Sequence, residues 1–204
     1  KANWSRHVAT PDGWSFIIPA TESHSGSMGY CYNSNITSRE DAEKNFNDMF
    51  DVEITTNIKY KNYIAKEPVI DNRIFLNGNR LFFLEPMESS STQAYIEMAR
   101  AVFDYYLQGK VSAVHVKEDM TRYIKQLQNF VIWHYQSGSK YDTPFWDYAK
   151  SLTFEDETFD KFLEYSKLYD CIPITYGGMT QNKTYAQWPA YSFKNWNEGI
   201  NLNT

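Results

Sequence analysis

The sequence predicts an α+β fold with its strands first and its helices after them. Two observations carry this. Between residues 13 and 37 apolar side chains alternate with period two, through Trp14, Phe16 and Ile18 and again through Tyr30 and Tyr32. From Glu118 onward the period changes. Met120, Tyr123, Ile124, Leu127, Phe130, Val131, His134 and Tyr135 recur at helical spacing.

Taken in order, GWSFIIP and MGYCYN read as strands, and TESHSGS between them as a loop with Gly26 as its turn residue. Ser38 is an N-cap candidate with acids behind it, and Ala42, Phe46, Met49 and Phe50 share one helical face. Residues 52–76 are rich in Val, Ile, Thr and Tyr and read as extended, with Arg73–Leu76 as a buried strand. Phe82–Leu84 leads through Glu85-Pro86 into a second helix. There Ser90 and Gln93 have the spacing of a capping box, and Met98, Ala99, Val102, Phe103 and Tyr106 form the apolar stripe. Gly109 suits the end of that helix. Thr143-Pro144 opens a short helix, and Phe159, Phe162, Leu163 and Leu168 mark another.

The 204 residues carry a net charge of -5, with 42% hydrophobic and 22% charged residues, an ordinary globular composition. No basic block is present to neutralise phosphates, so nucleic acid is a poor partner. No apolar run reaches the roughly 20 residues needed to cross a bilayer. The opening KANWSRHVATPDG lacks the apolar core of a secretion signal, and Cys31 and Cys171 make neither a disulfide framework nor a zinc site. A reducing cytoplasm is the expected setting, with the sequons at Asn3, Asn35 and Asn182 there by chance. His7, His24, His115 and His134 show no metal-ligand spacing, and His134 on its apolar face reads as a core histidine. Aromatics make up 17% of the chain, and large aromatics both fill cores and line pockets for flat ligands.

The stretch FLEPMESSS (83–91) holds most of the chemistry. A strand end delivers Glu85 and Glu88, followed by serines at a helix start, where unpaired backbone N–H groups and the helix dipole favour an anion. Two readings of Glu88 stand: a general base, or an acid that only complements the dipole while Ser90 caps. The aromatic group Tyr185, Trp188, Tyr191, Phe193 and Trp196 is likewise either core or substrate wall.

FLEPMESSS resembles the EPLES-type motif of flavin-dependent halogenases of the tryptophan-halogenase family, and GWSFIIP (13–19) resembles their W-x-W-x-I-P motif. GYCYNSNITSREDAEKNF and QLQNFVIWHYQSGSKYDTPFWDYAK (126–150) resemble the segments that follow, in the family's order, so that the resemblance spans about residues 13–150. It implies reduced FAD supplied by a flavin reductase, a halide ion, and electrophilic halogenation of an electron-rich ring, indole- or phenol-like. It implies Glu88 as the catalytic glutamate. Trp14, Phe16, Gly78 and Ser89 would lie on the flavin side, Ser90 and Ser91 at the halide, and Trp188, Tyr191 and Trp196 at the substrate. It also implies a mixed sheet segment from a flavin monooxygenase-like, FAD/NAD(P)-binding fold over residues 1–115 and a mainly helical region covering the substrate over 116–204.

The sequence departs from that family at several places. The G-x-G-x-x-G fingerprint and the family's catalytic lysine belong to an N-terminal portion without counterpart here. Phe16 replaces the second Trp, and Ser91 stands where glycine is usual, crowding the halide unless its φ is negative. Ser192 takes the place of a glutamate that holds the amino-acid part of tryptophan, which argues against free tryptophan as substrate. The expectations are therefore three: a halogenase completed by an N-terminal half or by assembly with copies of itself, a related flavin monooxygenase, or a non-catalytic fragment that binds an aromatic ligand or a protein.

Overall fold

A computed structural model describes residues 4–22, 25–85, 87 and 90–153. Three strands open it: β1 (Arg6–Thr10), β2 (Gly13–Ile18) and β3 (Ser27–Tyr32), in the order β1-β2-β3. Pro11-Asp12-Gly13 makes the tight turn between the first two. Gly26 enters β3 at φ 79, where a Cβ would stand 2.9 Å from the Ala20 nitrogen, so glycine is required there. The register pairs Trp14 with Cys31 and Phe16 with Gly29, which places these four on one face. Ser15, Ile17 and Tyr30 point to the other.

That second face is covered by α1 (Arg39–Phe50), whose Phe46 ring lies 5.2 Å from Tyr30. Ser38 caps α1 as expected, accepting the Asp41 N–H at 3.1 Å. Asp12, in the turn, ties the two elements together. Its Oδ1 accepts Thr37 Oγ1 at 3.0 Å, and its Oδ2 accepts Tyr30 Oη at 2.6 Å and Asn45 Nδ2 at 2.8 Å.

The middle of the chain is mostly irregular, with two short antiparallel pairs: β4 (Tyr63–Ile64) with β7 (Phe82–Phe83), and β5 (Val69–Ile70) with β6 (Ile74–Phe75). Helix α2 (Ser90–Arg100) runs into a π-helical segment, Ala101–Tyr106, and α3 (Ala113–Gln136) and α4 (Pro144–Lys150) follow. The main core joins Leu81, Phe82 and Leu84 to Ala94 and Met98 of α2 and to the Val116–Trp133 stripe of α3. A second cluster, Phe145, Trp146 and Ala149 of α4, packs on Ala9, Ile36, Tyr135 and Tyr141.

Several expectations are corrected. The expected mixed sheet is three small sheets, and every strand pair among the described residues is antiparallel. Strand β1 lies where no strand pattern was read. Ile18 ends β2 at 42% exposed, because the sheet face is covered only at its Gly13–Ser15 end. Arg73–Leu76 is not a buried strand, since Ile74 is 55% exposed on a two-residue hairpin arm. Phe103 is 64% exposed and leaves the expected stripe, whereas Met98 is buried and Val102 and Tyr106 pack against the main core. The Leu107 N–H reaches the Val102 carbonyl five residues back, the hydrogen bond of the π segment. Gln93 gives its amide to Glu97 at 2.7 Å. Helix α3 starts at Ala113, five residues before Glu118, on a Ser112 cap that accepts the His115 N–H at 3.1 Å.

Candidate functional site

The strand end after β7 is where the sequence analysis placed the chemistry. Phe82 and Leu84 are anchored in the main core, at 0% and 6% exposure. Glu85 follows and turns the other way, toward the first face of the β1-β2-β3 sheet. It is 7% exposed. Its Oε2 accepts the Trp14 indole N–H at 3.5 Å, a long bond, and a short bond from the Tyr135 hydroxyl on α3. Its Oε1 is buried and has no hydrogen-bond partner among the described residues. None of the ion pairs among the described residues includes Glu85.

One carboxyl thereby joins three elements distant in sequence: β2, the end of β7 and the last turn of α3. Burial drives its pKa above the usual carboxylate range, and the bonds from Tyr135 and Trp14 oppose that only in part. The same burial, helped by the nearby Glu85 charge, holds Tyr135 far above a normal phenol. On the sheet beside Trp14, the Cys31 thiol pairs with Tyr60 and is pushed up to about 11, chiefly by burial. The Cys31 thiol and the Tyr135 phenol are therefore resting, protonated groups at neutral pH rather than nucleophiles.

Trp14 is 4% exposed and closed in on its sides by the rings of His7, at 5.1 Å, and Phe16, at 6.2 Å. Phe16 is half-buried and lies across Gly29. Gly78 opens a 3₁₀ turn, Gly78–Arg80, with φ 57, next to α2, to which Asn77 Nδ2 is tied through the Tyr95 carbonyl at 3.1 Å. Ser90 begins α2. Ser91, in its first turn, has helical and not left-handed backbone, so its Cβ needs no strain there. Its Oγ donates to the Leu84 carbonyl at 3.5 Å, linking the strand end to the helix start. Glu88 and Ser89, and Trp188, Tyr191 and Trp196, lie outside the described residues. His134 is a core histidine, 4% exposed, with Nδ1 2.7 Å from the Phe130 carbonyl.

The sequence reading selected Glu88 and passed over Glu85, although both stand in the same stretch. The available signal was an acid directly after a fully apolar run, FFLE, where a side chain is carried inward by its neighbours. Tyr135 was visible only as a member of the α3 stripe.

A family model described as tryptophan halogenase matches residues 2–197. Among solved structures, the chain is similar to Tar14, a tryptophan C-6 flavin-dependent halogenase (chlorinase) from taromycin biosynthesis (20% identity, TM-score 0.71, 96% of this chain and 39% of that one). It is similar to a tryptophan halogenase from Shewanella frigidimarina (20% identity, TM-score 0.71, 98% and 39%). It is also similar to Xcc4156, a flavin-dependent halogenase from Xanthomonas campestris (18% identity, TM-score 0.65, 98% and 44%). The chain therefore spans about two-fifths of the length of each, and at these identities the likeness is one of fold.

Proposed function

The chain belongs to the tryptophan halogenase family, and from that premise we propose that it carries the halide- and substrate-facing portion of a flavin-dependent halogenase. The reaction is electrophilic halogenation of an electron-rich aromatic ring. Reduced FAD, when bound, would activate molecular oxygen, and oxygen supplies the oxidising equivalents that turn halide into an electrophile. In this reading residues 1–115 contribute to the FAD and substrate domain and 116–204 cover the substrate. A separate flavin reductase supplies reduced FAD, and the setting is the cytoplasm.

The observation that supports it best is the meeting of Trp14 with Glu85. It brings the GWSFIIP strand and the FLEPMESSS strand end against one another, although 71 residues separate them in the chain. Within that arrangement each residue has a task. Trp14, with Phe16 in front of it, walls the flavin side from the substrate side and keeps water out. Ser90 and Ser91, at the start of α2, offer backbone N–H groups to the halide, in keeping with the helix dipole. Glu88, just before them, acts beside the ring, taking the proton that leaves as halogen replaces hydrogen. Trp188, Tyr191 and Trp196 line the ring pocket. Gly78 suits the flavin side, because a Cβ there would meet no heavy atom within 4 Å and a flat group has room to approach.

The test is turnover of the intact protein with FAD, a flavin reductase, NADH, oxygen and bromide, offered indole and phenol substrates and read by mass spectrometry. A brominated ring whose formation stops in Glu88→Gln, while flavin reoxidation continues, is the expected result. A hydroxylated product, or flavin turnover with no ring product in the wild type, would sink the reading.

A further inference from the structure

Two carboxylates among the described residues are deeply buried, Asp12 and Glu85, each 7% exposed. They are satisfied in different ways. Asp12 takes three donors on its two oxygens, so the charged form is fully solvated by protein and the group is a fastener between sheet and helix. Among the described residues, Glu85 takes two donors on one oxygen and none on the other. An apolar side chain of similar volume would fill this place without leaving a buried oxygen unpaired. What the carboxyl adds is direction: two bonds from different elements converge on one atom.

From this we infer that Glu85 is a positioning residue of the site. Its carboxyl fixes the Trp14 indole against the end of β7 and so sets where the aromatic wall stands relative to the segment that follows. The Trp14 indole N–H points at Glu85 Oε2, the Tyr135 hydroxyl holds that oxygen from α3, and the Ser91 hydroxyl reaches the Leu84 carbonyl one residue earlier. The strand end is thus gripped from the sheet, from α3 and from α2. The consequence for catalysis rests on the halogenase reading, whereas the consequence for Trp14 does not.

The experiment compares wild type, Glu85→Gln, Glu85→Ala and Tyr135→Phe in the intact protein with two readouts. The first is the nitrogen-15 and proton resonance of the Trp14 indole N–H, which needs neither flavin nor halide. The second is kcat against KM for ring bromination. Glu85→Gln keeps an acceptor oxygen and should hold the resonance and kcat close to wild type. Glu85→Ala should move the resonance and lower kcat about tenfold or more with KM little changed, as loss of alignment does. If Glu85→Ala does not fold, Tyr135→Phe decides, because removing one of two donors from the same oxygen must also move the Trp14 resonance. An unmoved Trp14 resonance in Glu85→Ala and Tyr135→Phe overturns the inference, as does a fall in kcat that Glu85→Gln does not rescue. If the wild type brominates nothing, the halogenase reading fails by itself and the resonance still decides the role of Glu85.

Discussion

Trp146 donates its indole N–H to the Thr10 carbonyl at 2.7 Å, across 136 residues of chain. Beside it, Thr143 Oγ1 donates to the Pro11 carbonyl at 2.6 Å. The Thr-Pro-Phe-Trp run at the start of α4 is therefore a clamp on the β1–β2 turn. Pro144 starts the helix, Phe145 and Trp146 fill the second core cluster, and two side-chain donors take adjacent carbonyls of the turn.

Trp146→Phe keeps most of the ring volume and removes the N–H that the Thr10 carbonyl accepts. A loss of about 1–3 kcal/mol is expected. Thr143→Val should cost about 1 kcal/mol. Because the two donors hold adjacent carbonyls, the double variant should depart from additivity. Urea denaturation midpoints at constant slope check all three. No loss in Trp146→Phe would mean that the clamp is packing alone.

The Asp12 fastener predicts a steeper penalty. Replacing Asp12 with Ala strands the Tyr30 hydroxyl, the Thr37 hydroxyl and the Asn45 amide at once, two of them partners of a charged acceptor at under 3 Å. A loss of about 3 kcal/mol or more is expected, against roughly 1–2 kcal/mol for Tyr30→Phe. Thermal unfolding of both variants is the check, and equal losses would show that Tyr30 carries the whole network.

Gly29 and Phe16 face each other across β2 and β3, and a Cβ on Gly29 would lie 2.3 Å from the Phe16 ring carbon Cε1. The ring rests on the space glycine leaves. Gly29→Ala should therefore destabilise by about 1–3 kcal/mol through overpacking, and should be close to neutral in a Phe16→Ala background. The same substitution displaces the ring proposed to face the flavin, so FAD affinity followed by fluorescence should fall with it. A Gly29→Ala protein as stable as wild type would show that the sheet yields there.

What was legible in the sequence was what neighbours in the chain decide. The Ser38 cap, Gly26 at its turn, Pro144 at its helix start and the α3 stripe all report local geometry, and each stands as read. Strand β1 was not legible because RHVAT shows no alternation, and it becomes a strand only by pairing with β2. The π segment was not legible either, since its wider turn is invisible to a search at the α-helical period. Glu85 is the clearest case. Its partners Trp14 and Tyr135 are 71 and 50 residues away, so no window of sequence contains the site, and only the apolar run before it hinted at burial.

Glu85 also makes stability depend on pH in a direction opposite to that of an ion-paired or fully hydrogen-bonded carboxylate. Its folded pKa lies above the ordinary value of 4.5, because burial outweighs the bonds from Tyr135 and Trp14. Between the unfolded and folded values the folded protein holds a proton that the unfolded chain has released. The number of bound protons is then larger in the folded state, and unfolding free energy falls as pH rises. The Glu85 contribution is thus greatest below the unfolded value and declines as pH climbs from about 4.5 through the folded value. Glu85→Gln cannot ionise, keeps an acceptor for both donors and removes this slope. Subtracting the Tm of wild type from that of Glu85→Gln should give a difference that grows with pH across this window and then levels off. A difference that is flat, or that shrinks as pH rises, would mean that Glu85 is ionised and compensated in the folded protein, and that its second oxygen has a partner after all.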